Sequence, residues 1–330
     1  MTTSRLSSPS YLDNTGRADT LSGGVRLIPV DTPKGTFKVW TKRIGNAPTM
    51  KLLLLHGGPG ATHECFEAFD SYLPAAGVEY YYYDQLGSVY SDQPDEPELW
   101  DLPRFVEEVE QVRQALELDR DSFFLLGHSW GGVLAIEYAL RYQQHLKGLI
   151  ISNMMASGSA YNAYAQDVLM PTMDQAVLAE VKGYEASGDF ENPRYMELLM
   201  EHHYIHHVLR MPATEWPDPV NRAFKHINPS IYVPLQGPSE LGLSGKLLDW
   251  DRTSDLNEIE VPTLVIGAQH DTMDPAHMKW MANAVQQGRY LHCPEGSHMA
   301  MYDDQKVYVG GLIDFIHDVD GRGFERKHSI

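Results

Sequence analysis

A hydroxyl, an imidazole and a carboxylate can together cut an acyl bond. The hydroxyl attacks, the imidazole takes its proton, and the carboxylate orients the imidazole. The serine of this chain best placed for that chemistry is Ser129, in Gly127-His128-Ser129-Trp130-Gly131. A short apolar run, residues 123–126, leads into it, and a helix-period run with Val133, Ile136 and Ala139 comes after it. Gly-x-Ser-x-Gly carries meaning in that setting, where a strand enters a sharp turn into a helix. Such a turn strains the serine backbone, and side chains at Gly127 and Gly131 would collide with neighbouring elements. It also lifts the hydroxyl above the sheet edge, at a helix N-terminus whose dipole favours a developing negative charge.

The serine needs a base and an acid, and in this kind of sheet they come after it in the order acid, then histidine. Asp271 comes directly after the apolar run 263–268, in Gly267-Ala268-Gln269-His270-Asp271, and His298 lies in Gly296-Ser297-His298-Met299, just past the run 290–293. The 27 residues between them leave room for one helix and one strand. Asp274 is the rival acid, but it precedes Pro275 and reads as a helix N-cap. His270, His277 and His292 are rival bases; His292 falls inside a strand and His277 on a helix. The oxyanion formed by attack needs two donors. Trp130, directly after the serine, offers one backbone N–H. Gly58, in His56-Gly57-Gly58-Pro59-Gly60, offers the other, since that loop occupies the place of the lipase HGGG-type turn.

Positioning these groups requires a particular scaffold. Residues 25–30 and 36–44 read as two strands around a turn, an exposed antiparallel edge. Residues 50–55, 79–83, 123–126, 148–152, 263–268 and 290–293 are apolar runs of the kind buried on both faces of a parallel sheet. Helical segments at 102–116, 275–285 and 307–319 alternate with them, which predicts right-handed α/β connections. Between residues 156 and 257 only helix-like segments appear, at 161–170, 175–187, 193–209 and 217–225. About 100 residues are too many for a loop. The expected architecture is an α/β-hydrolase fold, a mostly parallel sheet flanked by helices, with a helical cap inserted after the sixth strand. Its parts are a leader at 1–24, a core at 25–155 and 258–330, and the cap at 156–257.

Composition excludes several functions. With 330 residues, 43% hydrophobic and 22% charged, the chain reads as globular. Its formal charge of -19 would be repelled by nucleic acid and by anionic membranes. Two cysteines, Cys65 and Cys293, are too few for a disulfide framework. The polar first 25 residues hold no apolar signal core, and no run reaches the roughly 20 apolar residues of a membrane span. The default location is the cytoplasm.

Several motifs together resemble one family. HGGPG after the third strand, DQLGS after the fourth, GHSWGG at the serine, GAQHDTMDP and CPEGSHMAMYDD are similar to the proline iminopeptidases among the α/β-hydrolases. The likeness runs over residues 36–320. It implies a serine aminopeptidase that releases an N-terminal residue, preferentially proline, from short peptides or aminoacyl amides, without a cofactor. It carries the nucleophile to Ser129, the acid to Asp271, the base to His298, and the oxyanion donors to Gly58 and Trp130. In the family, acidic residues of the cap bind the substrate's free amino terminus; the matching positions are Glu240 and Glu201. Glu64, just past HGGPG, is a further candidate for facing the pocket. One departure is Val89 with Tyr90, where the family has a glycine after DQ-x-GS, which predicts a reshaped pocket. An amino-acid amide hydrolase, an esterase or a lactonase on this scaffold is the alternative, and a non-catalytic binding module a third reading. The run His202-His203-Tyr204-Ile205-His206-His207 lacks the further ligand of a metal site, and Tyr80 to Tyr83 read as strand and pocket wall.

Overall fold

The computed structural model describes residues 24–321 with Gly323 and Phe324. Apart from Gly24, the leader expected at 1–24 lies outside the described residues. Strands β1 (Val25–Thr32) and β2 (Gly35–Ile44) form a hairpin, and after them come β3 (Lys51–Leu55), β4 (Glu79–Asp84), β5 (Phe123–His128), β6 (Gly148–Ser152), β7 (Thr263–Ala268) and β8 (Gly288–Cys293). They make one sheet in the order β1-β2-β4-β3-β5-β6-β7-β8. The β1–β2 and β2–β4 pairs are antiparallel, and the remaining neighbours are parallel. Burial reflects that placement. All of β4, β5, β6 and β7 is buried, while β1 at the edge alternates between buried and exposed positions. Side chains branched or bulky on both faces suit strands covered by helices on both sides.

Helices α1 (Leu102–Ala115) and α2 (Trp130–Tyr142) lie among the strands. Between β6 and β7 come α3 (Gly158–Tyr164), α4 (Gln175–Ser187), α5 (Pro193–Leu199), α6 (Ile205–His207), α7 (Asp218–Lys225) and α8 (Pro229–Leu235). This segment adds no strand to the sheet; its extended pairing is the isolated bridge Ser157–Asp251. Helices α9 (Pro275–Ala284), α10 (Ala300–Asp303) and α11 (Gln305–Asp320) complete the chain. The single helix expected over 193–209 is broken. After α5 the backbone widens into a π-helical stretch, Met200–Tyr204, before α6. A π-turn inserts an extra residue and rotates the helix beyond it. Here it buries His203 and Tyr204 and leaves Glu201 exposed. The helix α8 and a 3₁₀ stretch at His63–Ser71 were not expected from the sequence. Among the described residues no helix is long and apolar enough to cross a membrane.

The helical segment is fastened to the core at several places, among them Trp250 and Arg252 on Glu137 of α2 at 2.7 and 2.6 Å and two seams beside Ser129. Arg222 of α7 reaches Glu64 at 2.5 Å and Glu67 at 2.6 Å, and His226 donates to Glu64 at 2.8 Å. On the other side His298 N–H donates to the His207 carbonyl at 2.9 Å and Met299 N–H to that of Val208 at 2.8 Å.

Close packing around the turn after β5 leaves no room for methyl groups. A Cβ at Gly127 would lie 1.9 Å from the Gly131 carbonyl oxygen, and one at Gly131 would lie 2.0 Å from that of Leu55. Gly310, on the exposed face of α11, has nothing within 4 Å of such an atom. Gly127→Ala is therefore expected to cost about 3 kcal/mol in urea unfolding, because backbone must move. Gly310→Ala is expected to gain about 0.5–1 kcal/mol in the same measurement by removing helical glycine.

Candidate active site

Ser129 sits between β5 and α2 with φ 56° and ψ −125°, a conformation L side chains rarely adopt. The turn is held by Ser129 N–H on the Ser152 carbonyl at 3.0 Å and Gly132 N–H on the Ser129 carbonyl at 2.6 Å. Gly57 backs onto it: a Cβ there would lie 3.0 Å from Ser129 Cβ and 3.5 Å from its Oγ. Trp130 opens α2, so no carbonyl one turn back serves its N–H.

Asp271 and His298 meet at the same carboxyl edge. His298 Nδ1 donates to Asp271 Oδ1 at 2.8 Å, and both residues are buried. The carboxylate also accepts from Met273 N–H at 3.1 Å and, on Oδ2, from Asn153 Nδ2 at 2.6 Å. Burial by itself would lower the His298 pKa. The charge and hydrogen bond of Asp271, with the charges of Glu240 and Asp303, outweigh it and leave His298 above the ordinary imidazole value. His128, next to the serine, is the opposite case. Burial, then the nearby His298 at a ring separation of 5.0 Å, holds it well below that value and neutral.

Ser129 and His298 line one cavity of about 330 Å³, together with Gly57, Gly58 and Glu240. A second, tight recess of about 10 Å³ lies beside Ser129, bounded by Trp130, Met154, Met273, Leu247 and again Glu240. Glu240 thus faces both. Its Oε1 accepts from the Tyr232 hydroxyl at 2.5 Å. Burial raises its pKa, and the His298 charge and the Tyr232 bond pull it partly back. Gly58, at φ +104°, adopts a conformation open to glycine; a Cβ would also lie 2.6 Å from Ala61 N.

Other residues fall elsewhere. Glu201 is two-thirds exposed (67%) and pairs only loosely with His202 at 3.9 Å; it is not among the residues lining the cavity. Glu64 is buried but committed to Thr62, Arg222 and His226. Asp274 caps α9, accepting from Ala276 N–H at 2.8 Å. His277 accepts from Ala156 N–H and His292 lies beside Tyr290, whereas His270 offers its carbonyl to His207. Tyr90 is exposed and packs on Trp40 at 5.1 Å, and neither it nor Val89 lines the cavity. Nor do Tyr80 to Tyr83 form its wall; they are buried in β4, with hydroxyls on Asp70, Glu79 and Glu108.

Two contributors escaped the sequence reading. Asn153, at φ 52°, bridges Asp271 and, at 3.3 Å, the Ser297 carbonyl. Gln85 donates to the His56 carbonyl at 3.2 Å and accepts from Trp130 Nε1 at 2.9 Å, tying the Gly57–Gly58 loop to the residue after the serine. Both stand directly past the end of a buried strand, and Gln85 belongs besides to the DQLGS motif, where the sequence reading gives it no role.

Comparison with known proteins agrees with this architecture. A family model described as the alpha/beta hydrolase fold matches residues 51–305. The proline iminopeptidase of Flavobacterium johnsoniae is 56% identical over 294 residues, spanning 89% of this chain and 98% of that protein. That of Elizabethkingia meningoseptica is 55% identical over 300 residues, spanning 90% and 100%. The crystal structure of the proline iminopeptidase of Mycobacterium smegmatis superposes with a TM-score of 0.75 at 27% identity, over 89% of this chain and 99% of that one. With the sheet order, the serine turn and these relatives taken together, the chain belongs to the α/β-hydrolases and, within them, to the proline iminopeptidase family.

Proposed function

We propose that the protein is a serine aminopeptidase that releases N-terminal proline from short peptides or aminoacyl amides. The observation that carries this is Glu240, a buried carboxylate bordering the same cavity as Ser129 and His298. A carboxylate out of water binds one unpaired ammonium far more strongly than it would in solvent. Segment 156–257 acts as the cap that keeps it dry.

In this reading Ser129 Oγ attacks the carbonyl of the first residue while His298 Nε2 takes its proton. Asp271 holds the ring through Nδ1 and stabilises the imidazolium. The tetrahedral oxyanion is met by the N–H groups of Gly58 and Trp130, each contributing about 3 kcal/mol. His298 then gives its proton to the departing nitrogen, the acyl-enzyme forms, and water repeats the sequence to free the amino acid. No cofactor is required. The pyrrolidine ring lies against the tight recess, whose Met154 and Met273 side chains are flexible enough to give way to it. A cytoplasmic location belongs to the same reading, since Cys65 and Cys293 are both buried free thiols, the state a reducing compartment keeps.

Glu240→Gln is expected to lower kcat/KM for a proline amide by about 100-fold or more, since a buried ion pair loses one partner. Hydrolysis of a neutral ester should stay within a few-fold, and acetylated proline amide should be refused by the unaltered enzyme. Equal cleavage of free and acetylated substrates would refute the amino-terminus assignment.

The pH profile is the second check. His298 must be neutral to act, and its raised pKa places the acid limb of kcat/KM above the ordinary imidazole value near 6.5. A bound ammonium cancels the Glu240 charge that helps raise it. The acid limb of kcat, which reports the complex, should therefore lie at lower pH than that of kcat/KM. In Glu240→Gln the two limbs should converge.

A further inference from the structure

The site has a second side, and its chemistry bears on the residue beyond the scissile bond. On the aminopeptidase reading, the group that departs takes its proton from His298. It must therefore lie on the His298 side of Ser129. His298 lines the large cavity and not the tight recess. That cavity is walled mainly by apolar side chains of the helical segment, with Phe190, Met196, Phe224, Ile227 and Val233 among them. Among the described residues no Lys or Arg lines it, and its two carboxylates are the buried Glu240 and the exposed Glu191. Of its histidines, His128 is kept neutral by burial and His298 must be neutral to work.

We infer that this cavity is the subsite for the departing half of the substrate, and that it takes an apolar, uncharged second residue. The class is an N-terminal proline joined to a bulky aliphatic or aromatic residue whose own carboxyl is blocked or carried onward in a longer peptide. A free dipeptide fits poorly. With Glu240 paired to the substrate's own ammonium, its terminal carboxylate would be drawn out of water into a space whose remaining charge is the like charge of Glu191 and whose lining offers no Lys or Arg, within a protein of net charge -19. An acidic side chain in the second position meets the same repulsion. An apolar one is rewarded by burial against Phe224 and Met196.

The test is a set of four substrates, Pro-Leu-NH2, Pro-Ala-NH2, Pro-Asp-NH2 and Pro-Leu with a free carboxylate, compared by kcat/KM at fixed ionic strength. The leucine amide is expected to exceed both the aspartate amide and the free dipeptide by tenfold or more, and the alanine amide by several-fold. Two variants on the exposed rim read the cause. Glu191→Lys should shrink the ratio of amide to free dipeptide at least threefold, and Met196→Ser should shrink the ratio of leucine to alanine. Ratios near one in the unaltered enzyme, or unmoved by Glu191→Lys and Met196→Ser, overturn the inference while leaving the aminopeptidase reading intact. Failure to cleave any of the four, with a neutral ester still turned over, overturns that reading and the subsite with it.

Discussion

Taking a carboxylate out of water costs several kcal/mol unless something in the fold answers for it, and the helical segment is arranged around doing so for Glu240. The Tyr232 hydroxyl of α8 donates to its Oε1. Its backbone is bracketed as well: Tyr161 of α3 and His203 both donate to its carbonyl, at 3.1 and 3.2 Å, while its N–H donates to the Tyr204 hydroxyl at 3.2 Å. Three separate stretches of the segment thus converge on one residue. The described residues lining the cavity include no Lys or Arg to neutralise it. A neutral donor steadies the carboxylate without cancelling its charge, so on the proposed reading its attraction for a substrate's ammonium is retained.

That arrangement works only while the segment stays closed against the sheet edge. The Glu64–Arg222–Glu67 cluster fixes α7 beside the loop that carries Gly58. Asn228 continues the same seam, its N–H on the Gly60 carbonyl at 2.8 Å and its Nδ2 on that of Gly87 at 2.9 Å. The opposite seam joins residues 207 and 208 to 298 and 299 through main-chain bonds, with the His207 ring on the His270 carbonyl and Ser297 Oγ on that of Val208 beside them. One seam therefore meets the loop of Gly58 and the other His298. On the proposed reading, a shift of the segment would move Glu240 relative to Ser129 and His298, which couples recognition of the amino terminus to the geometry of the chemistry.

What could be read from the sequence is what local sterics or chain order dictate. The serine turn was legible because two glycines, each with a backbone carbonyl about 2 Å from where a Cβ would stand, cannot be anything else. The order of strands, and with it the edge where Asp271 and His298 emerge, was legible because buried parallel strands are written as unbroken apolar runs. The helical segment was harder. Glu201 came forward with Glu240 only through the resemblance, on a stretch the spacing reads as one helix over 193–209, but the π-helical stretch at Met200–Tyr204 breaks the 3.6-residue period. Nothing in a hydropathy pattern marks where one extra residue will be accommodated. Asn153 and Gln85 were missed for another reason: a lone amide in a loop has no period, and its role is set by partners 118 and 45 residues away.

The strain in the site lies on the sheet side alone. Ser129 and Asn153, both at positive φ, stand at the ends of the neighbouring strands β5 and β6, and non-glycine residues held so cost about 1–3 kcal/mol each. Hydrogen bonds that carry the ladder past the strand ends offset this: Ser129 N–H to Ser152, and Asn153 N–H to the Ile266 carbonyl of β7 at 2.9 Å. Neither bond involves the helical segment. On the proposed reading, the reacting groups stand on the sheet edge, and among the described residues the helical segment carries none of the non-glycine residues at positive φ. On that reading, substitutions in the helical segment change which peptide is accepted and leave the Ser129 hydroxyl where it is.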